Sequence, residues 1–156
     1  MSDCAVRRQR RSGPGGQHRN KVETAVVITH QPTGVQGEAS ERRSQEENRR
    51  RAIYRLRVNL ALGVREPVEG GSFRPSDLWQ RRCHAGRLVV SVAHVEFPAL
   101  LAEALDVLSA CDMDASEAAE RLSCTASQLI KLLQKDPRAL AQVNRHRQLT
   151  SRPPYR

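Results

Sequence analysis

The apolar positions of this 156-residue chain change their period along its length. Residues 3–11 alternate weakly and can extend as a first strand. Residues 22–30, VETAVVITH, are rich in β-branched side chains and also strand-like. Pro32, Thr33 and Gly34 supply a turn, and residues 35–39 can return as a paired strand, which makes a hairpin. From Ser44 the period becomes helical. Ser44, Gln45, Glu46 and Glu47 read as a capping box. Ala52, Ile53, Leu56 and Leu60 then form one apolar stripe, which runs to about Leu62 with Gly63 as a stop signal.

Residues 63–87 hold two prolines and four glycines, so a connector is expected there, with a short helix at 76–82. Leu88 to Val92 can extend. Beyond Pro98, a residue suited to a first helical turn, Leu100, Leu101, Ala104, Leu105 and Leu108 give a broad apolar face. Asp114 with Glu117, Thr125 with Gln128, and Asp136 before Pro137 mark three more helix starts. The pattern predicts an α+β unit over 1–62, a small antiparallel sheet crossed by one helix with a loop protruding from it. A connector over 63–93 follows, then a small all-α helical domain over 94–156 that ends in a short basic tail.

Charge sharpens this picture. The chain carries 26 Lys+Arg against 17 Asp+Glu, a net charge of +9. Residues 1–62 hold 13 and 6 of these, and residues 63–156 hold 13 and 11. The anion-binding surface is therefore expected in the first part, and a polyanion is the expected partner. Nearly all the cations are arginine, which grips phosphate oxygens in a bidentate way. Aromatic residues make up only 3%, so recognition by base stacking is disfavoured against backbone and shape recognition.

The cysteines, Cys4, Cys83, Cys111 and Cys124, form no CxxC pair and no zinc-type cluster with histidine. No metal site is expected, and reduced thiols are the ordinary reading. No run is apolar enough for a signal peptide or a membrane span. A cytoplasmic protein with no membrane partner is expected.

One segment carries chemistry. Ser12-Gly13-Pro14-Gly15-Gly16-Gln17 cannot be helix or sheet ladder, because glycine and proline dominate it. It opens a longer text, SGPGGQHRNKVETAVVITHQPTG, followed by ERRSQEENRRRA. Residues 12–62 resemble the catalytic domain of bacterial class I peptide-chain release factors. The Gly-Gly-Gln loop, Asn20-Lys21, Ile28-Thr29-His30, Pro32-Thr33-Gly34 and Arg43-Ser44-Gln45 occur in the order that family shows.

The resemblance implies ribosome-dependent hydrolysis of the peptidyl-tRNA ester in the peptidyl transferase centre of the large subunit. Gly15, Gly16 and Gln17 are then the catalytic residues. The two glycines allow an approach that a Cβ would block, and the Gln17 backbone N–H stabilises the developing negative charge. The Gln17 side chain shapes the pocket for water and is a candidate for methylation on its amide nitrogen. Ribosomal RNA supplies the remainder of the site, so no cofactor is implied. Arg10, Arg11, Ser12, His18, Arg19, Asn20, Lys21, Arg49 and Arg50 are the expected RNA contacts, the cations reaching phosphates. His18 and His30 lack a carboxylate at a defined spacing, which disfavours them as general bases. Ser12 with His18 lacks the third member of a triad.

A full release factor also carries a codon-reading domain and an N-terminal helical domain. The helical segment here does not resemble the former. The expectation is codon-independent release from stalled ribosomes, by a monomer, with P-site peptidyl-tRNA as substrate. The tail, with Arg145, His146, Arg147, Arg152 and Arg156, is shorter than the long Lys/Arg-rich tail of the best-known rescue type, so a recruiting partner protein or the helical domain would have to supply recruitment. Three alternatives stay open. One is a catalytically silent ribosome- or RNA-binding protein of release-factor shape. Another is a hydrolase acting on split large subunits. The third is a DNA-binding regulator working through the helix-turn-helix-like residues 114–135. Against the last, the local charge is near neutral and base-reading side chains are few.

Overall fold

The computed structural model describes residues 2–9, 24–68 and 73–156. Among these the chain divides into two compact units, Met1–Gly63 and Val64–Arg156.

In the first unit three strands, β1 (Cys4–Gln9), β2 (Ala25–His30) and β3 (Gln36–Ala39), form an antiparallel sheet in the order β1-β2-β3. The turn after β2 is closed by two backbone bonds, Gly34 N–H to His30 O and His30 N–H to Val35 O, both 2.8 Å. Gly34 sits at φ +70°, a conformation that glycine adopts without penalty. His30 Nδ1 lies 2.8 Å from Thr33 Oγ1, so this histidine is engaged in the turn.

Helix α1 (Gln45–Gly63) crosses the sheet. Its start is capped by Ser44, whose Oγ accepts the Glu47 N–H at 3.3 Å. Ala52 and Leu56 from the helix meet Val26, Ile28 and Ala39 from the sheet in a small buried core, with Ile53, Leu60, Cys4 and Val35 packed at its edge. The register explains which residues face the helix. Val26 pairs with Ala39 and Ile28 with Gly37, so all four lie on one face of the sheet. Gly37 matters there because a Cβ would overlap the backbone of Ala52 and Leu56. The absence of a side chain at this one position lets helix and sheet close up.

In the second unit α2 (Asp77–Arg82) is capped by Ser76 and runs into a two-stranded hairpin, β4 (Cys83–His84) and β5 (Arg87–Leu88). Four helices follow in a α3 (Phe97–Ala110), α4 (Ala115–Arg121), α5 (Ala126–Gln134), α6 (Pro137–Leu149) series. The side chains of Asp114, Thr125 and Asp136 each accept backbone N–H bonds at the start of α4, α5 and α6. Leu100, Leu101, Leu105, Leu108, Leu122 and Leu129 are fully buried and form much of the core.

Of residues 63–93, expected as a connector, all but Gly63 are grouped with these helices. Trp79 shows why: it is 1% exposed, and its indole N–H donates to Leu122 O at 2.8 Å. Arg65 and the backbone N–H of Glu66 both donate to Asp106 Oδ1, at 2.9 and 3.1 Å, which fastens the start of the unit to α3. The C-terminal residues are fastened too. Tyr155 Oη accepts from Ala115 N–H at 2.8 Å, and the buried Arg147 guanidinium stacks over the Tyr155 ring at 3.9 Å. No helix of the described residues is long and apolar enough to cross a membrane.

Candidate functional site

Strands β1 and β2 end together at the Gln9–Ala25 pair. Residues 10–23 join those two ends. Of the predicted site residues, Arg10, Arg11, Ser12, Gly15, Gly16, Gln17, His18, Arg19, Asn20 and Lys21 fall in this segment and lie outside the described residues. What the first unit displays is the frame that holds the segment's two ends.

On the entry side the frame is the β1–β2 ladder, in register from Cys4–His30 to Gln9–Ala25. On the exit side it is Asn48. This residue is 0% exposed in the first turns of α1. Its Nδ2 donates to Thr24 O at 2.7 Å and to Arg42 O at 2.8 Å, while its Oδ1 accepts from Arg42 N–H at 3.0 Å. A carboxamide offers both donors and an acceptor, and no carboxylate of the same shape can donate. One side chain therefore ties the residue that follows the segment to the bend before α1 and to the helix itself.

Arg49 and Arg50 follow directly. Arg50 pairs with Glu46 at 3.1 Å one turn earlier, with both side chains mostly exposed. Arg49 is exposed and lines a cavity of about 380 Å³ together with Arg8, Val6, Val26, Gln45 and Glu46. Arg8 pairs with Val26 across the strands, so it lies on the same sheet face as the core but beyond the apolar cover of α1. Two guanidiniums and one carboxylate thus border a concavity beside the strand that leads to residue 10. That excess suits an anionic group such as a phosphate.

The other arginines of α1 are divided between roles. Arg51 and Arg55 both reach Glu41, at 3.1 and 2.6 Å, and Arg55 also donates to Glu38 O at 2.7 Å. Burial works against the Glu41 charge, yet hydrogen bonds from the Ser40 N–H and its own N–H and from Arg55 and Arg51 outweigh it, holding the pKa at about 2. These two arginines brace the bend at 40–42 rather than standing free for a partner.

Sequence reasoning missed Asn48, Arg8 and Gly37. Asn48 sits in a polar run, QEENRRR, which reads as a solvated face. A polar residue at the helical position four before Ala52, on the apolar stripe, was the available signal. Among the described residues, no group of three or more His, Cys, Asp or Glu side chains could hold a metal ion.

The frame is a small α+β unit in which residues 10–23 connect the paired ends of β1 and β2. Residues 1–69 match the family model described as the RF-1 domain. Over 59 residues the chain is 49% identical to peptide chain release factor 1 of Xylella fastidiosa (strain 9a5c), a stretch covering 38% of this chain and 16% of that protein. Over 64 residues it is 48% identical to the chloroplastic peptide chain release factor PrfB1 of Arabidopsis thaliana, covering 41% of this chain and 14% of the relative. No solved structure matches. The N-terminal part of the chain therefore carries an RF-1 domain, and the matched stretches span only a small share of those relatives' length.

Proposed function

We propose that this protein acts on the ribosome as a release factor that hydrolyses the peptidyl-tRNA ester without reading a codon. The observation that carries this reading is the RF-1 domain match over residues 1–69, which takes in Gly15-Gly16-Gln17. In this reading Gly15 and Gly16 let the backbone approach the ester at the P-site tRNA terminus. The Gln17 N–H donates to the carbonyl oxygen as water adds, an interaction that can lower the barrier by a few kcal/mol, about 3. The ester C–O bond then breaks, the peptide leaves as the acid and the tRNA regains its 3′ hydroxyl. Arg10, Arg11, Arg19 and Lys21 hold ribosomal RNA phosphates near the loop, Ser12, His18 and Asn20 make further polar contacts, and Arg49 with Arg8 and Arg50 extends the anion-binding surface from the helix. Asn48 positions the exit of the loop without touching substrate.

Codon independence is proposed separately from the domain match, because residues 70–156 lie outside the matched stretch. The discriminating experiment measures peptide release from ribosomes whose A site holds a stop codon, a sense codon or no mRNA. Codon-independent rescue predicts release in the third case without any requirement for a stop codon. Release only with a stop codon removes the rescue reading. Release confined to isolated large subunits carrying peptidyl-tRNA replaces it with action after subunit splitting.

A further inference from the structure

The second unit is not uniformly neutral. Residues 64–120 hold 5 Lys+Arg and 10 Asp+Glu, whereas residues 121–156 hold 8 and 1. The average over the two conceals a strongly basic C-terminal stretch. Its single acid, Asp136, is occupied by Arg138 at 2.7 Å. Several cations there serve the fold: Arg121 pairs with Glu117, Arg152 with Asp112, and Arg147 is buried against Tyr155. Lys131 and Lys135 do not pair with a described carboxylate.

Those two lysines, with Gln128, form one wall of a groove of about 270 Å³; the other wall is Arg87 and the residues that follow it to Val90. No carboxylate lines the groove. Its walls are fixed to each other. The β4–β5 turn uses Ala85 at φ +49° and Gly86 at φ +74°, the tight-hairpin geometry. Gly86 O accepts the N–H of Thr125, the cap of α5, at 3.2 Å. Lys135 Nζ donates to Val90 O at 2.6 Å, which holds its ammonium at the rim. Three cations are thus gathered around one concavity by a hairpin and a helix, and among the described residues no carboxylate lines it.

We propose that this groove binds the phosphodiester backbone of structured RNA. No aromatic residue lines it for stacking, and its charged side chains are all cations, which suits phosphate oxygens. Recognition is therefore of phosphates and shape, independent of sequence. The choice of RNA over DNA rests on the ribosomal reading of the first unit. The groove gives the second unit a role in holding the protein on its RNA substrate particle while the loop acts.

The test uses the full chain and a fluorescent RNA hairpin, with a DNA hairpin of the same sequence as control, titrated by anisotropy across a range of KCl concentrations. Arg87 and Lys131 are exposed, so R87Q/K131Q should keep the wild-type circular dichroism and melting temperature. The expected result is weaker RNA binding, with a plot of log affinity against log salt shallower by about 2, one for each lost phosphate contact. The loss should be the same for hairpins of unrelated sequence. Unchanged affinity and slope would overturn the groove. Equal binding of the DNA hairpin, with equal sensitivity to R87Q/K131Q, would overturn the assignment to RNA. Groove-dependent RNA binding by a wild-type protein that releases no peptide would uphold the groove and remove the release reading instead.

Discussion

Asn48 Nδ2 donates to Thr24 O at 2.7 Å, joining a helix to the residue that closes the glycine-rich segment 24 positions earlier. The same side chain satisfies both backbone groups of Arg42. Replacing Asn48 with Ala leaves part-buried backbone groups of Thr24 and Arg42 without this partner, at no more than about 1–3 kcal/mol in total because water can reach them. Asn48→Asp should be at least as damaging, because a carboxylate would face two carbonyl oxygens. Urea unfolding of the full chain measures the loss. Variants as stable as wild type would show that the clamp does not hold the segment.

At Gly37 the limit is space rather than torsion. Gly37→Ala puts a Cβ into the backbone of Ala52 and Leu56, which must lift α1 from the sheet, so a loss of roughly 2–3 kcal/mol is expected. Gly34→Ala meets no neighbour but keeps φ +70°, and should cost only about 1–2 kcal/mol. Thermal melts of the two variants side by side check the order, and the reverse order would contradict the close helix–sheet approach.

Much of this first unit is legible in the sequence, and the reason is local. Strand, turn and helix follow from patterns that neighbouring residues set, and Ser44, Asp114, Thr125 and Asp136 cap helices through bonds to residues two or three away. Asn48 and Gly37 are not legible in the same way, since each matters through a partner distant in the chain. The basic groove was hidden differently. Averaging charge over 63–156 cancels the acids before residue 120 against the cations after it, and only the fold brings Arg87 beside Lys131. The connector reading of 63–93 rested on prolines and glycines and overlooked Trp79, whose buried indole fastens that stretch to the helices.

Glu41 makes a pH prediction. Its pKa falls from an ordinary 4.5 to about 2 in the folded protein, so its stabilising contribution is complete above about 4.5 and is lost as pH falls through about 2. The partners are exposed, which limits each pair to no more than about 1 kcal/mol. The difference in melting temperature between wild type and Glu41→Gln should therefore be small, present at neutral pH, and shrink below pH 4.5. A difference that grows on acidification would contradict the Arg51–Glu41–Arg55 brace.

Tyr155 tests the end of the chain. Its hydroxyl accepts from Ala115 N–H and from Arg147, both at 2.8 Å. Tyr155→Phe keeps the ring over Arg147 but removes the acceptor, and a loss of about 1–2 kcal/mol is expected from the groups left unpaired. Hydrogen exchange at the Ala115 amide gives the local readout, and unchanged protection there would show that the terminal residues do not brace α4.

The proposed function assigns ester hydrolysis to Gly15-Gly16-Gln17. The most direct measurement is peptide release from purified ribosomes carrying peptidyl-tRNA on truncated mRNA, comparing wild type with Gly16→Ala. Release by wild type, with a rate at least about 100-fold lower for the variant and ribosome binding retained, is the predicted result. Equal release by both proteins, or binding without release by wild type, would contradict it.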